Sequence, residues 1–355
     1  LFRKKSKTLV GIDISSTAVK LIELGGSRGN MRVEGYAAVA VPPDSVVDKH
    51  VNNPEAVGES IKKALHMAGT RTKHACVAVG GASVITKLVP MPAGLSDNEL
   101  EQQIRLEAEQ YIPFPLEEVG LDFEVIGPSG EEPTSVDVLI AACRNETIES
   151  RVAAVEMAGL ICSIVDIESN ALENACHLIR EQMTGGKENT IAFIDIGATT
   201  TTLNIMHAGN IVYTRDQSFG GKQLTEEIMR HYGLSYEDAG KAKRLGGLPD
   251  SYADEVLKPF IADAMQQVNR ALQFFFASHS QVEKLDQIVL AGGCASIPGI
   301  DLALEEQMEV ATRIADPFAS MKIAARAKPK MLKLDAPALM TAVGLALRSF
   351  DNAPY

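Results

Sequence analysis

Two aspartates, Asp13 and Asp195, each close an apolar run and open a turn of small or hydroxyl-bearing residues. After Asp13 come Ser15, Ser16 and Thr17, with Lys20 close behind; after Asp195 come Gly197, Ala198, Thr199 and Thr200. A nucleoside triphosphate needs backbone amides and small hydroxyls around its phosphates, because a bulky side chain at the turn blocks close approach. A carboxylate ending the preceding strand can hold magnesium, most simply through the water shell of the ion. The pattern therefore assigns Asp13 and Asp195 to a magnesium ion and Ser15, Ser16 and Thr17 to β- and γ-phosphate oxygens. Lys20 adds a point charge, and Gly197, Ala198, Thr199 and Thr200 repeat the task from the second turn. One such turn is weak evidence, since Asp before small residues is common wherever strands reverse. A third stretch, IVLAGG ending at Gly292 and Gly293, adds two glycines after a strand, where backbone can approach a ribose and an α-phosphate.

These residues need strands to carry them. Residues 9–24 (LVGIDISSTAVKLIEL) and 191–206 (IAFIDIGATTTTLNIM) echo each other, and each reads as a β-hairpin followed by a further strand, over 31–41 and 211–215. Apolar residues Val57, Ile61, Ala64, Leu65 and Ala68 make a helical stripe. A second helix, over 98–111, opens with Ser96 and Glu99 in capping-box spacing and stops before Pro113 and Pro115. A strand pair over 119–126 and 136–143, joined by a turn over 127–133, is followed by a helix over 146–158. Further helices are expected over 168–183, 225–232, 236–245, 253–278 and 338–348, with Gly185, Gly186 and Lys187 as a flexible link before the second echo.

The chain has 355 residues, enough for two lobes, and a net charge of −12 that repels phosphate backbones, so nucleic acid is not expected as a partner. Its basic cluster, Arg3, Lys4, Lys5 and Lys7, reads as a solvated end. The five cysteines avoid CxxC spacing and the seven histidines form no ligand pair, so no metal beyond magnesium is indicated. No apolar run reaches bilayer length and no signal peptide precedes the first strand, which points to the cytoplasm. P-loop and dinucleotide signatures are missing.

The strings DISSTAVK, DIGATTTT and LAGGCASIPG resemble, in order and spacing, the two phosphate motifs and the adenosine motif of the actin, sugar-kinase and heat-shock ATPase superfamily. DIESNALENA and ALMTAVGLAL fall at its two connecting helices. The insert after the opening of lobe one is similar to the relocated subdomain of the cell-division protein FtsA. VGIDISSTAVKLIEL, EAEQYIPFPLEEVGLDFEVIG and SFGGKQLTEEI are similar to the PilM family of type IV pilus assembly proteins.

The resemblance implies an α/β, two-lobed actin-like (ribonuclease-H-like) ATPase fold. Its expected divisions are a lobe-one core over 1–87, the insert over 88–160, a connecting helix over 161–188 and a lobe-two core over 189–222. A helical subdomain follows over 223–284, then lobe-two core over 285–325 and a closing segment over 326–355. It implies ATP and magnesium as ligands, Gly220 and Gly221 at the opening of the helical subdomain, and Gly240, Lys243 and Arg244 near adenosine. Gly292, Gly293 and Cys294 would line the sugar and α-phosphate, and Glu168 would orient the attacking water, unless it is merely a helix N-terminal acid. Ala198 and Thr199 replace a glycine run of strongly catalytic relatives, so binding with slow turnover is expected. The implied partner is the N-terminal cytoplasmic tail of PilN, with other platform and motor proteins and self-association also open. Tyr111, Ile112, Phe114 and Leu116 would border the tail groove, or else cap the core of the insert. A small-molecule kinase and a filament-forming ATPase of the same superfamily are the alternatives.

Overall fold

The computed structural model describes residues 8–129, 134–180, 183, 189–279, 282 and 284–351. The basic cluster Arg3, Lys4, Lys5 and Lys7, the link Gly185, Gly186 and Lys187, and Pro133 lie outside the described residues.

Both echo segments fold as expected, into hairpins that start two separate sheets. In lobe one the strand order is Ile161–Ile167, His74–Val79, Leu9–Ile14, Ala18–Ser27, Asn30–Ala40 and Lys322–Ile323. In lobe two it is Asn210–Gln217, Thr201–His207, Thr190–Ile196, Gln287–Ala291 and Thr312–Ile314. Each lobe thus has an antiparallel meander whose first strand also pairs in parallel with a later strand, Leu9–Ile14 with His74–Val79 and Thr190–Ile196 with Gln287–Ala291. The parallel strands are buried on both faces, which is why IVLA and ACVAV are continuous apolar runs.

Between them, Val84–Pro92, Ser135–Arg144 and Val119–Pro128 form a third, antiparallel sheet, in that spatial order. Only the last two of these strands are expected from the sequence; Val84–Pro92 is an addition. Its Pro90 and Pro92 face outward from an edge strand, at alternate positions opposite Asp137 and Ser135, where no ladder donor is needed. The helix Asp97–Tyr111 covers this sheet with Leu100, Ile104 and Ala108, and its capping box is formed, with the Ser96 amide donating to Glu99 Oε2 at 2.9 Å.

At the base of the cleft the two lobes share one apolar core. Ile22, Leu24 and Val33 from one sheet and Ile191, Phe193 and Val289 from the other pack with Leu172, Ala175 and the closing helix Met340–Leu347. The helix expected over 168–183 ends instead at Cys176. Its C-terminus tightens through bonds from the Leu178 and Ile179 amides to Ala175 and Cys176 carbonyls, which turns Ile179 into this shared core. Where the two connecting helices cross, a Cβ on Gly344 would overlap the Ala171 carbonyl, so only glycine permits the approach.

Gly344→Ala is therefore expected to lower stability by about 3 kcal/mol or more, since backbone rather than a flexible side chain must give way. Gly240, inside the helix Tyr236–Leu245 with open space around its Cα, supplies the contrast. Gly240→Ala should stabilise by about 0.5–1 kcal/mol. Thermal unfolding of the two variants checks both signs.

Candidate functional site

Strand register explains how the acidic turns come to differ. In the first hairpin Asp13 stands directly opposite Lys20, and the Lys20 ammonium lies 2.9 Å from Asp13 Oδ2. In the second, Asp195 stands opposite Thr202, whose hydroxyl donates to Asp216 Oδ1 at 2.6 Å. Among the described residues Asp195 has no ion-pair or hydrogen-bond partner for its carboxylate, although Gly292 lies close against it. Burial, and next to it the fields of Asp13 and Glu168, push the Asp195 carboxyl up to about 6, against the opposing pull of Lys20 and Lys49. Burial alone would depress the Lys20 ammonium, but Asp13, Asp195 and Glu168 outweigh it and hold it above the usual lysine value.

The two turns meet. Thr199 Oγ1 donates to Ser16 Oγ at 3.0 Å, joining segments far apart in the chain. The first turn is closed by the Ser15 amide and hydroxyl, both on the Ala18 carbonyl at 3.0 and 2.8 Å. The second is closed by the Gly197 amide on the Thr200 carbonyl at 2.9 Å. Gly221 and Lys222 amides in turn donate to the Gly197 and Ala198 carbonyls at 2.9 and 2.7 Å, which seats the helix Gly221–Tyr232 on the second turn. Ser15, Ser16, Thr17, Thr199 and Thr200 thus sit around one opening with Asp13, Asp195 and Lys20.

Gly292 follows the strand that pairs Ala291 with Asp195, and its φ of 86° is a left-handed conformation. A side chain there would strike Asp195, so the glycine keeps the wall beside the carboxylate thin. Gly293 is exposed and open, whereas Cys294 is buried, its Sγ 3.4 Å from the Gly197 carbonyl and beside Gly221. Burial first, and then Asp195, push the Cys294 thiol up to about 11, so this cysteine is an inert packing group. Lys243 donates to the Gly221 carbonyl and to Thr225 Oγ1, both at 2.8 Å, which ties the helix Tyr236–Leu245 to the first turn of the helix Gly221–Tyr232. Gly240 and Arg244 are on that same helix, with Arg244 exposed.

Glu168 opens its helix beside Gly80, and Lys49 Nζ lies 2.8 Å from its Oε2 and 3.0 Å from Asp216 Oδ2. Lys49, Asp216 and Thr202 are absent from the sequence reading. Arg151 is also absent from it. Its side chain is fully buried, with Nη1 on the Ile14 carbonyl at 3.3 Å and Nη2 on the Lys49 carbonyl at 2.6 Å. One signal for it existed: Thr147, Arg151, Ala154 and Val155 share the buried stripe of the helix Asn145–Met157. For Lys49, in the polar stretch DKH, local sequence carries none.

The proposed groove residues divide. Tyr111 and Phe114 are 41 % and 37 % exposed, with Lys87 5.3 Å and Arg144 5.1 Å from their ring centroids. Ile112 is buried with Ala108, Val119 and Ala142, and Leu116 packs against that cluster. Among the described residues no three His, Cys, Asp or Glu side chains gather closely enough to bind a metal directly.

A family model described as "Type IV pilus assembly protein PilM" matches residues 11–350. A solved PilM–PilN type IV pilus biogenesis complex contains a chain 27 % identical to this one, with a TM-score of 0.80, covering 98 % of this chain and 99 % of that one. The Cell division protein FtsA of Bacillus subtilis (strain 168) is 22 % identical over 97 % of this chain and 84 % of its own length. The fold is also that of MreB5 of Spiroplasma citri, solved bound to AMPPNP, at 14 % identity and a TM-score of 0.51, over 96 % of this chain and 95 % of that one.

The partnerless carboxylate has a measurable consequence. Its folded-state pKa of about 6 stands above the ordinary 3.8, so the folded protein binds the more protons between these values. Stability is therefore lost as pH rises through that window, and the full penalty is present above it. In metal-free protein Asp195→Asn should gain about 2–3 kcal/mol near pH 7.5 and almost nothing near pH 4. Denaturant unfolding at both pH values tests this; an equal gain at both would show that ionisation is not the cause.

Proposed function

The chain belongs to the type IV pilus assembly protein PilM family, and from that premise we propose that it is an actin-like scaffold of the pilus inner-membrane platform. It binds ATP with magnesium in the cleft and grips the N-terminal cytoplasmic tail of PilN with its insert. Among the described residues no helix is long and apolar enough to cross a membrane, so its place at the inner face of the inner membrane comes through that partner.

The observation that supports the nucleotide reading is the Ser16–Thr199 contact, which brings both aspartate turns to one opening. The residues suit a magnesium nucleotide. Asp195 is a half-buried carboxylate with no ion-pair or hydrogen-bond partner among the described residues, raised toward neutrality, and is the kind of group that a divalent cation relieves. Asp13 and Asp195 would hold the metal through its waters, and bound magnesium would supply positive charge against the β- and γ-phosphates. The Ser15, Ser16, Thr199 and Thr200 hydroxyls and the turn amides would orient phosphate oxygens, and Lys20 would offset their charge. Gly292 and Gly293 leave room for the ribose.

Turnover is proposed to be slow. Glu168 would be the residue to orient a water, but its carboxylate is engaged by Lys49 at 2.8 Å. Output then lies in binding. On the insert, Tyr111 and Phe114 are exposed rings with Lys87 and Arg144 over them, while Ile112 and Leu116 belong to the apolar cluster of the insert.

Asp195→Ala is expected to weaken magnesium-ATP binding at least roughly tenfold in calorimetry while leaving the fold intact. Phe114→Ala should weaken a synthetic PilN tail by a similar factor and leave ATP affinity unchanged. Rapid phosphorylation of a sugar without tail binding would instead select the kinase alternative.

A further inference from the structure

Lys49 belongs to no motif of the cleft, yet it is the lysine that crosses it. Its backbone stands at a φ of 65° in the turn between Val46–Val47 and His50–Val51, braced by Arg151 on its carbonyl. From lobe one the side chain extends between Glu168 and two groups of lobe two, Asp216 at 3.0 Å and Thr202 at 3.5 Å. Only 19 % of the side chain is exposed.

Gly292 touches Asp195, and Lys49 reaches Thr202, the residue opposite Asp195 on the neighbouring strand. Lys49 also bonds Glu168 and Asp216. Glu168 is the residue proposed to orient water at the terminal phosphate, so a phosphate chain laid out from the glycines toward that water would end at Lys49. The hairpins give an independent reason: the first carries its own lysine opposite its aspartate, while the second has Thr202 there, and Lys49 reaches that threonine from the other lobe. The second hairpin takes its cation from across the cleft.

We propose, resting on the reading of the cleft as a nucleotide site, that Lys49 reads the terminal phosphate and makes the cleft prefer a nucleoside triphosphate over a diphosphate. Without its ammonium, Glu168 and Asp216 would present two uncompensated carboxylates to the end of the phosphate chain. They would repel a third phosphate far more than a second one. A residue that merely braced the lobes would act on both nucleotides alike, and its partner Asp216 would matter as much as Lys49 itself.

The test is calorimetric titration of the full chain with magnesium-ATP and magnesium-ADP. Lys49→Met should lose roughly tenfold or more of ATP affinity while ADP affinity stays within about twofold. Asp216→Asn, which leaves the ammonium with one carboxylate fewer, should keep or improve ATP affinity. Lys49→Arg should retain the ATP preference, and it keeps the test open should the Met variant fail to fold. Equal losses for both nucleotides in Lys49→Met, or an Asp216→Asn variant that mimics it, would overturn the assignment in favour of a brace. A parent protein that binds neither nucleotide overturns the cleft reading itself, which separates the two failures.

Discussion

Asp13, Asp195 and Glu168 converge on one partly dehydrated opening, and carboxylates so placed cannot all stay charged unless cations stand among them. The protein supplies two lysines, each taken by a carboxylate, and among the described residues leaves Asp195 without an ion-pair or hydrogen-bond partner. That deficit destabilises the ligand-free chain, and on the proposed reading of the cleft it is what a divalent ion carrying a nucleotide would relieve. Most other features at the opening, from the thin wall at Gly292 to the closed turns, keep these groups close without covering them.

Such crowding requires a rigid base. The shared apolar core beneath the cleft contains residues from both sheets and from both connecting helices, and the helices cross at Gly344 with backbone against backbone. Packing of that kind is bistable rather than elastic, so the lobes have few relative positions open to them. The Ser16–Thr199 and Lys49–Asp216 contacts define one of them from above.

Much of this was legible in the sequence because the signals were local. The echo segments gave both hairpins, Ser96 and Glu99 gave the start of the insert helix, and the paired aspartates gave the centre of the site. What stayed hidden depended on distant parts of the chain. Lys49 matters through Glu168 and Asp216, neither near it in sequence, and Arg151 through two backbone carbonyls that no side-chain pattern reports. The strand Val84–Pro92 was also missed; its prolines are tolerated because it lies at an edge, and edge status is a property of the assembled sheet. The helix from Glu168 stopped early because the shared core needed Ile179, and tertiary burial outweighed local helical pattern.

Arg151 stands on a helix that follows without a loop from the insert strand Ser135–Arg144, and its guanidinium carries the carbonyls of Ile14 and Lys49 together. Its Nε finds no partner among the described residues, so no competing bond holds the group if the helix shifts. Arg151 thereby links the insert to the opening, beside the packing of Ala154 and Val155 in the lobe-one core. Were a ligand in the opening and one on the insert both to act on that link, thermodynamics would require the coupling to be of equal strength in either direction.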